Sequence, residues 1–269
     1  MLTRRQAAAA SLVALSQMMT ARSMAEKPAE TYHDRMMKAA DYPNEQIALL
    51  VYPGFTALDM VGPQYAFGSM IGAKVHIVAK TMEIVESDTK LAFRPSATFG
   101  TCPDPVDIIF VPGGTKGTLA AMEDKETIAF LKSRGEKAKL VTSVCTGSLV
   151  LGAAGLLKGY RATSHWLTLD LLAEFGAVPD DRRVVIDRTR MTGAGVTAGI
   201  DFGLQIVEKL RGREYAEAVQ LLAEYDPDPP LKAGNPKTAP KAARDLLTEM
   251  FAPFREDVRQ AAARIAMSR

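Results

Sequence analysis

A chain of 269 residues that is 47% hydrophobic and 24% charged has the composition of a soluble globular protein, which excludes collagen, a coiled coil and wholesale disorder. Its 33 Lys and Arg against 31 Asp and Glu give a formal charge of +2, a basicity that needs a location before it is read as affinity for nucleic acid. Arg4, Arg5 and Arg22 account for all of it, because without residues 1–25 the balance is 30 basic to 31 acidic, or −1.

Residues 1–25 read as a leader. Thr3-Arg4-Arg5 precedes an uncharged apolar run, Ala7 to Leu15, and Ser23-Met24-Ala25 puts small residues three and one before a cut at Glu26. The arginine pair resembles a twin-arginine export signal, which predicts a periplasmic protein. The apolar run is about half of the roughly 20 residues that a bilayer span needs, so no stable membrane insertion is expected after cleavage. Residues 26–45, polar and containing Pro28 and Pro43, read as a tail.

From there the pattern changes. Ile47 to Tyr52, Lys74 to Ala79, Val106 to Val111 and Lys139 to Val144 are short, nearly continuous apolar runs, as expected of strands buried on both faces of a parallel sheet. Helix-compatible segments separate several of them, which implies a doubly wound α/β sandwich. Thr81 to Thr101 reads as a hairpin or an added edge. Arg161 to His165, Arg182 to Asp187 and Arg190 to Gly193 read as further strands, the last two joined by a tight turn. Val196 to Leu210 and Arg213 to Glu224 have helical periodicity. Tyr225 to Pro240 holds five prolines and is expected to form no helix, and Ala242 to Ala266 resumes helical periodicity with a break near Pro253. The predicted organisation is therefore one α/β domain over residues 46–245 and a helical extension over 246–269.

In an open parallel sheet ligands bind at the carboxyl ends of the strands. After Lys139 to Val144 comes Cys145-Thr146-Gly147-Ser148 and then a helix-forming run. Such a sharp strand-to-helix turn displays a nucleophile near helix N-terminal amides, which are expected to stabilise a thiolate. After Val106 to Val111 comes Pro112-Gly113-Gly114, a loop whose N–H groups can approach an oxyanion. After the first strand comes Asp59, an acid over the same rim. Each has a plainer reading: Cys145 as a small buried hydrophobe, the Pro-Gly-Gly as an ordinary turn, Asp59 as a cap of the helix that begins near Gly62.

The remaining candidates are few. Cys102 precedes its strand whereas Cys145 follows its own, so the two lie about 20 Å apart across the sheet and no disulfide is expected. His33 falls in the tail and His76 in the middle of a strand, where it is expected to pack. His165 ends a strand at the ligand edge beside Trp166, where it serves either as a substrate-binding group or as a structural strand-end histidine. No Cys/His spacing suits zinc and no Gly-rich phosphate loop follows a strand, so neither a metal nor a nucleotide cofactor is expected.

The segments Gly54–Pro63, Ile109–Gly114, Val144–Gly147, Ala162–Trp166, Gly195–Asp201 and Glu224–Pro230 together resemble the ThiJ/PfpI superfamily, relatives of the class I glutamine amidotransferases. Within it the chain resembles the isonitrile hydratase branch, from about Ile47 to Pro240. The resemblance implies a flavodoxin-like three-layer sandwich, a homodimer, the elbow Cys145 as nucleophile, and Asp59 and Thr146 as its assistants. Proteases and glyoxalases of the superfamily place His after the nucleophile and use Glu as the acid, where this chain has Thr146 and Asp59. Its regulators append a helix-turn-helix module longer than the 45 residues that follow Glu224, so no nucleic-acid partner is expected.

The activity implied is addition of water to a small isonitrile, giving an N-substituted formamide through a thioimidate on Cys145. Asp59 acts as acid and base, Thr146 orients the groups, and amides near Gly113, Gly114 and Thr146 stabilise charge. Two rivals stand beside it. One is a thiol sensor or ligand-binding dimer of the cell envelope, built on a low-pKa Cys145. The other is a different cysteine hydrolase or lyase with His165 as base, which would add a pH limb near 6 to 7.

Overall fold

A computed structural model of the chain describes Thr31, Asp34 and residues 42–267. The leader, most of the tail and His33 lie outside the described residues, and residues 42–267 belong to one compact unit. Strand β1 (Gln46–Leu50) is followed by helix α1 (Ala57–Gly68), β2 (Lys74–Ala79), the short strands β3 (Val85–Glu86), β4 (Ala92–Phe93) and β5 (Ala97–Thr98), then β6 (Ile108–Val111). Helices α2 (Lys116–Glu123) and α3 (Lys125–Gly135) lead to β7 (Leu140–Val144) and α4 (Gly147–Ala153). The chain continues through β8 (Arg161–Ala162), a 3-10 helix (Asp170–Phe175), β9 (Val178–Pro179), β10 (Val184–Asp187), β11 (Arg190–Gly193), α5 (Ala198–Arg211), α6 (Arg213–Leu222) and α7 (Lys241–Met267).

Seven strands form the main sheet in the order β10-β11-β7-β6-β1-β2-β5, parallel throughout except for the β10–β11 pair. The nearly continuous apolar runs explain the centre, since Ile47 to Leu50, Ile109 to Val111 and Leu140 to Val144 are buried on both faces under helices. Phe67 of α1, Phe110 of β6 and Phe202 of α5 meet with ring centroids 5.8–6.4 Å apart and tie these two helices to the sheet. The chain leaves β1 toward β2 on one side and returns to β6 on the other. The crevice between β1 and β6 at their carboxyl ends is therefore the topological switch point where such sheets bind ligands.

The Thr81–Thr101 stretch holds both expected alternatives: β3 and β4 form a hairpin, and β5 adds an edge to β2. His76 packs in β2, its Nε2 2.9 Å from Gln46 Oε1.

Four expectations need correction. Only Arg161–Ala162 of the Arg161–His165 segment is a strand, and it pairs with β9 in a separate two-stranded sheet. The main sheet has no room for it, because β11 already occupies the edge of β7 and β10 covers β11. The tail does not extend to Glu45, which is buried and receives both Nη groups of Arg211 at 2.7 Å. Pro253 does not break α7. The turns after it are held by Arg255 on Asp170, by Arg264 on Glu123 and by buried Val258, Ala261 and Ala262, which offset the one backbone bond that proline removes. That helix also begins at Lys241, so the boundary drawn at 245 falls inside it. Among the described residues no helix is long and apolar enough to cross a membrane.

Candidate active site

Cys145 closes β7 and opens the turn into α4. Its φ is +57°, a region that non-glycine residues avoid, and the surroundings hold it there. Its N–H is shared between the Gly193 and Ala194 carbonyls at 3.0 and 2.8 Å, and its C=O accepts the Ser148 and Ser164 hydroxyls, each at 3.1 Å. Gly147 follows because a Cβ there would stand 2.2 Å from the Val111 carbonyl oxygen, so only glycine lets α4 start against the end of β6.

Asp59 reaches the same point from the first turn of α1. It is fully buried, and its Oδ2 accepts the Gly113 N–H at 2.9 Å. The N-cap position belongs to Thr56, whose hydroxyl goes to Asp88, so the capping reading of Asp59 is set aside. Oδ1 has no hydrogen-bond partner. The Cys145 thiol lies close enough for each group to shift the protonation of the other. Burial raises the Asp59 pKa from its ordinary 3.8 to about 7, against the lowering effect of the Gly113 amide and the thiol. The positive end of α1 favours the carboxylate, yet desolvation outweighs it.

The same burial corrects one expectation directly. Desolvation, and then the Asp59 carboxylate, push the Cys145 thiol well above its ordinary range, against the lowering effect of the Thr146 amide. A short helix cannot compensate for a thiol sealed from water beside an acid, so Cys145 rests as a thiol and not as a low-pKa thiolate.

Thr146 is held from three sides. Its Oγ1 donates to the Gly114 carbonyl at 2.6 Å, accepts the Gly114 N–H at 2.9 Å and lies 2.9 Å from Thr118 Oγ1. With the Thr146 proton on Gly114, Thr118 is the donor to Thr146. Tyr52 lies behind them, its OH donating to the Pro112 carbonyl at 2.6 Å and 3.3 Å from Thr118 Oγ1. Burial drives the Tyr52 pKa upward, so it stays a neutral donor. Sequence reasoning missed Tyr52 and Thr118. The available signals were a tyrosine closing the first strand and a threonine on the inner face of α2.

This geometry corrects the reading of the loop. The Gly113 amide holds Asp59 and the Gly114 amide holds Thr146, so neither N–H is free to receive an oxyanion. The two glycines are positioning residues instead. A Cβ on Gly113 would meet Thr146 N at 2.6 Å, Thr146 Oγ1 at 2.7 Å and Asp59 Oδ2 at 2.8 Å, so the absence of a side chain there is what lets acid and elbow converge. The Thr146 amide is the donor that remains directed at the sulfur.

His165 stands beside this cluster without a hydrogen bond to it. Its Nδ1 accepts the Leu167 N–H at 3.3 Å, which places the ring proton on Nε2, and burial lowers its pKa. Neutral, with its proton on Nε2, it is a hydrogen-bond donor at that nitrogen and not a base. The two cysteines are both free and both buried. Among the described residues no three His, Cys, Asp or Glu side chains gather as a metal ion requires.

A buried thiol, a carboxyl near its half-protonation point and one amide converge on a single point. Such a cluster can pass one proton between sulfur, oxygen and a carbon held between them. Comparison with known proteins agrees with the fold. The DJ-1/PfpI family model matches residues 45–209. An isonitrile hydratase from Pseudomonas putida is 48% identical over 208 residues, 77% of this chain and 90% of that protein. A THiJ/PfpI family protein from Pseudomonas syringae superposes with a TM-score of 0.83 at 55% identity, covering 89% of this chain and 98% of that one. Drosophila melanogaster DJ-1beta superposes with a TM-score of 0.62 at 23% identity over 68% of this chain and all of that one, a likeness of fold.

Proposed function

Because the chain belongs to the DJ-1/PfpI family, we propose that it hydrates isonitriles to N-substituted formamides with Cys145 as nucleophile. The observation that carries the reading is the Cys145–Asp59 pair with its unpartnered Oδ1, in a chain so similar to an isonitrile hydratase.

The chemistry follows from where the proton sits. An isonitrile carbon carries a lone pair, and adding a thiol to it requires that the carbon gain a proton as well as the nucleophile. Oδ2 is taken by Gly113, so the proton of the neutral acid sits on Oδ1, the oxygen without a partner. Asp59 takes the thiol proton and delivers it to the terminal carbon as sulfur bonds to that same carbon. Thiol plus isonitrile becomes a thioimidate, with a new C–H and a new C–S bond and the nitrogen still doubly bonded to carbon. Asp59, again a carboxylate, removes a proton from water as its oxygen adds to the thioimidate carbon, and that proton passes to nitrogen. The hydroxyl of the tetrahedral adduct then becomes the formyl C=O, the C–S bond breaks, and sulfur recovers a proton through Asp59. The sum is isonitrile plus water giving formamide, with the enzyme unchanged. Thr146 and Gly113 hold the two reacting groups in place.

The raised thiol counts against the sensor reading, because redox-sensing cysteines depend on thiolate character and exposure. The Nε2–H tautomer of His165 counts against a cysteine–histidine mechanism. Pairing of two copies belongs to the same proposal, supported by Leu58, Val61 and Tyr65 on the exposed face of α1, and sedimentation velocity tests it. Export through residues 1–25 does too, tested by leader cleavage and fractionation. The activity itself is tested by formamide formation from alkyl and aryl isonitriles, with dicarbonyls and short peptides as competing substrate classes.

A further inference from the structure

We infer that the proline-rich segment after α6 walls a cavity beside Cys145 that seats the isonitrile's substituent and selects bulky, uncharged groups. This rests on the hydratase reading and extends it to substrate class.

The cavity measures about 440 Å³ and its lining includes Ser164, His165, Trp166, Ala194, Asn235 and Pro236. Two of these residues also hold the nucleophile. Ser164 Oγ donates to the Cys145 carbonyl, and the Ala194 carbonyl accepts the Cys145 N–H. The cavity therefore borders the elbow through two residues that hold the Cys145 backbone, and the proposal places the nitrogen side of the isonitrile toward it. Its size is within the range of about 300–1,000 Å³ typical of small-molecule sites.

Residues 225–240 form no helix, yet the part at the cavity is fixed. Lys237 Nζ reaches Asp181 at 2.6 Å, Arg244 Nη1 donates to the Pro236 carbonyl at 3.1 Å, and Asn235 accepts the amides of Lys237, Thr238 and Ala239. The segment that the chain's periodicity leaves as a connector is thus a built wall.

The wall's chemistry selects. Arg183 pairs with Asp201 and Lys237 with Asp181, so the charges at the cavity already have partners and an ionised substituent must displace one of them. Trp166 supplies an aromatic face. His165 lines the cavity and carries its ring proton on Nε2, a donor that suits a substituent bearing an ether, nitro or carbonyl oxygen.

Trp166 is the only tryptophan in the chain, so its emission reports on this cavity. The full-length native protein is titrated with N-phenylformamide, N-methylformamide and N-(4-carboxyphenyl)formamide. The expected result is a saturable change with the phenyl compound, at least about tenfold weaker with the other two, as a filled or vacant apolar pocket gives. Val196→Phe, which fills the cavity, is expected to lower the ratio of phenyl to methyl isonitrile kcat/KM by about tenfold, and Lys237→Ala, which releases the wall, to lower it by about threefold. No hydration of any isonitrile overturns the hydratase reading and this inference with it. Hydration with an unchanged ratio and no Trp166 response overturns the inference alone, and tighter binding of the carboxylate overturns the selection of uncharged groups.

Discussion

The Gly113 amide takes one oxygen of the Asp59 carboxyl at 2.9 Å and leaves the other without a partner, while the carboxyl and the Cys145 thiol each shift the protonation of the other. A loop that looks built to receive an oxyanion instead orients an acid. The proton inventory of the site follows from this contact, and so do the predictions below.

Activity should fall as pH drops through about 7, the value to which burial raises Asp59. Below it both groups are protonated and no base remains to take the thiol proton. The limb belongs to the Cys145–Asp59 pair as a unit. It also removes a discriminating test, because a limb near 7 no longer points to His165. A kcat/KM profile for a soluble isonitrile checks the prediction, and a flat profile from pH 5 to 8 contradicts it.

Alkylation of Cys145 by iodoacetamide at pH 7 should be at least about tenfold slower than that of a free cysteine, since each unit by which the thiol is raised costs about tenfold in thiolate. Asp59→Asn removes the negative neighbour, so the pH midpoint of alkylation should move down. Mass spectrometry of the Cys145 peptide reads both effects, and an upward move would contradict the assignment.

The same pair ties stability to pH. The Asp59 pKa is higher folded than unfolded, so its burial has no effect below about 4, destabilises increasingly from about 4 to 7, and holds a constant deficit above. The deficit is at most about 4 kcal/mol, from about 1.4 kcal/mol per unit. Asp59→Asn should therefore gain stability relative to wild type between pH 5 and pH 8, measured as urea midpoints, while losing activity. A difference that shrinks over this range would show that the carboxyl is not raised.

Gly113→Ala should leave a folded protein with kcat reduced by about a hundredfold or more, because the new methyl group must displace either the acid or the elbow. Tyr52→Phe should cost about 1–3 kcal/mol of stability, for the Pro112 carbonyl left unpaired, and reduce kcat by less than about tenfold. Circular dichroism and steady-state kinetics separate the two. Equal losses would mean that the loop tolerates a side chain between Asp59 and Thr146.

The parts of this account that the sequence carries are local. Ile47 to Leu50 and Leu140 to Val144 read as central strands because their runs are short and nearly continuously apolar, and Cys-Thr-Gly-Ser after a strand reads as an elbow because small residues must follow such a turn. The parts it does not carry depend on neighbours distant in the chain. Helix amides near Cys145 predict a depressed thiol, and only the packed structure shows burial deep enough, with Asp59 beside it, to reverse that sign. Gly113 and Gly114 look like free donors until Asp59 and Thr146 are seen on them. Thr118 comes to Thr146, Tyr52 to the Pro112 carbonyl and Asn235–Lys237 to the cavity that His165 lines only through tertiary folding. Pro253 predicts a break within the last helix, and packing against the 3-10 segment and α2 keeps that helix continuous.

The covalent role of Cys145 is the centre of the account, and intact-protein mass spectrometry after rapid quenching with an aryl isonitrile tests it most directly. The account predicts a species heavier by the whole isonitrile, localised to the Cys145 peptide, that appears and decays as formamide accumulates, with neither adduct nor formamide from Cys145→Ala. Formamide production by Cys145→Ala, or steady turnover with no adduct on Cys145, would contradict it.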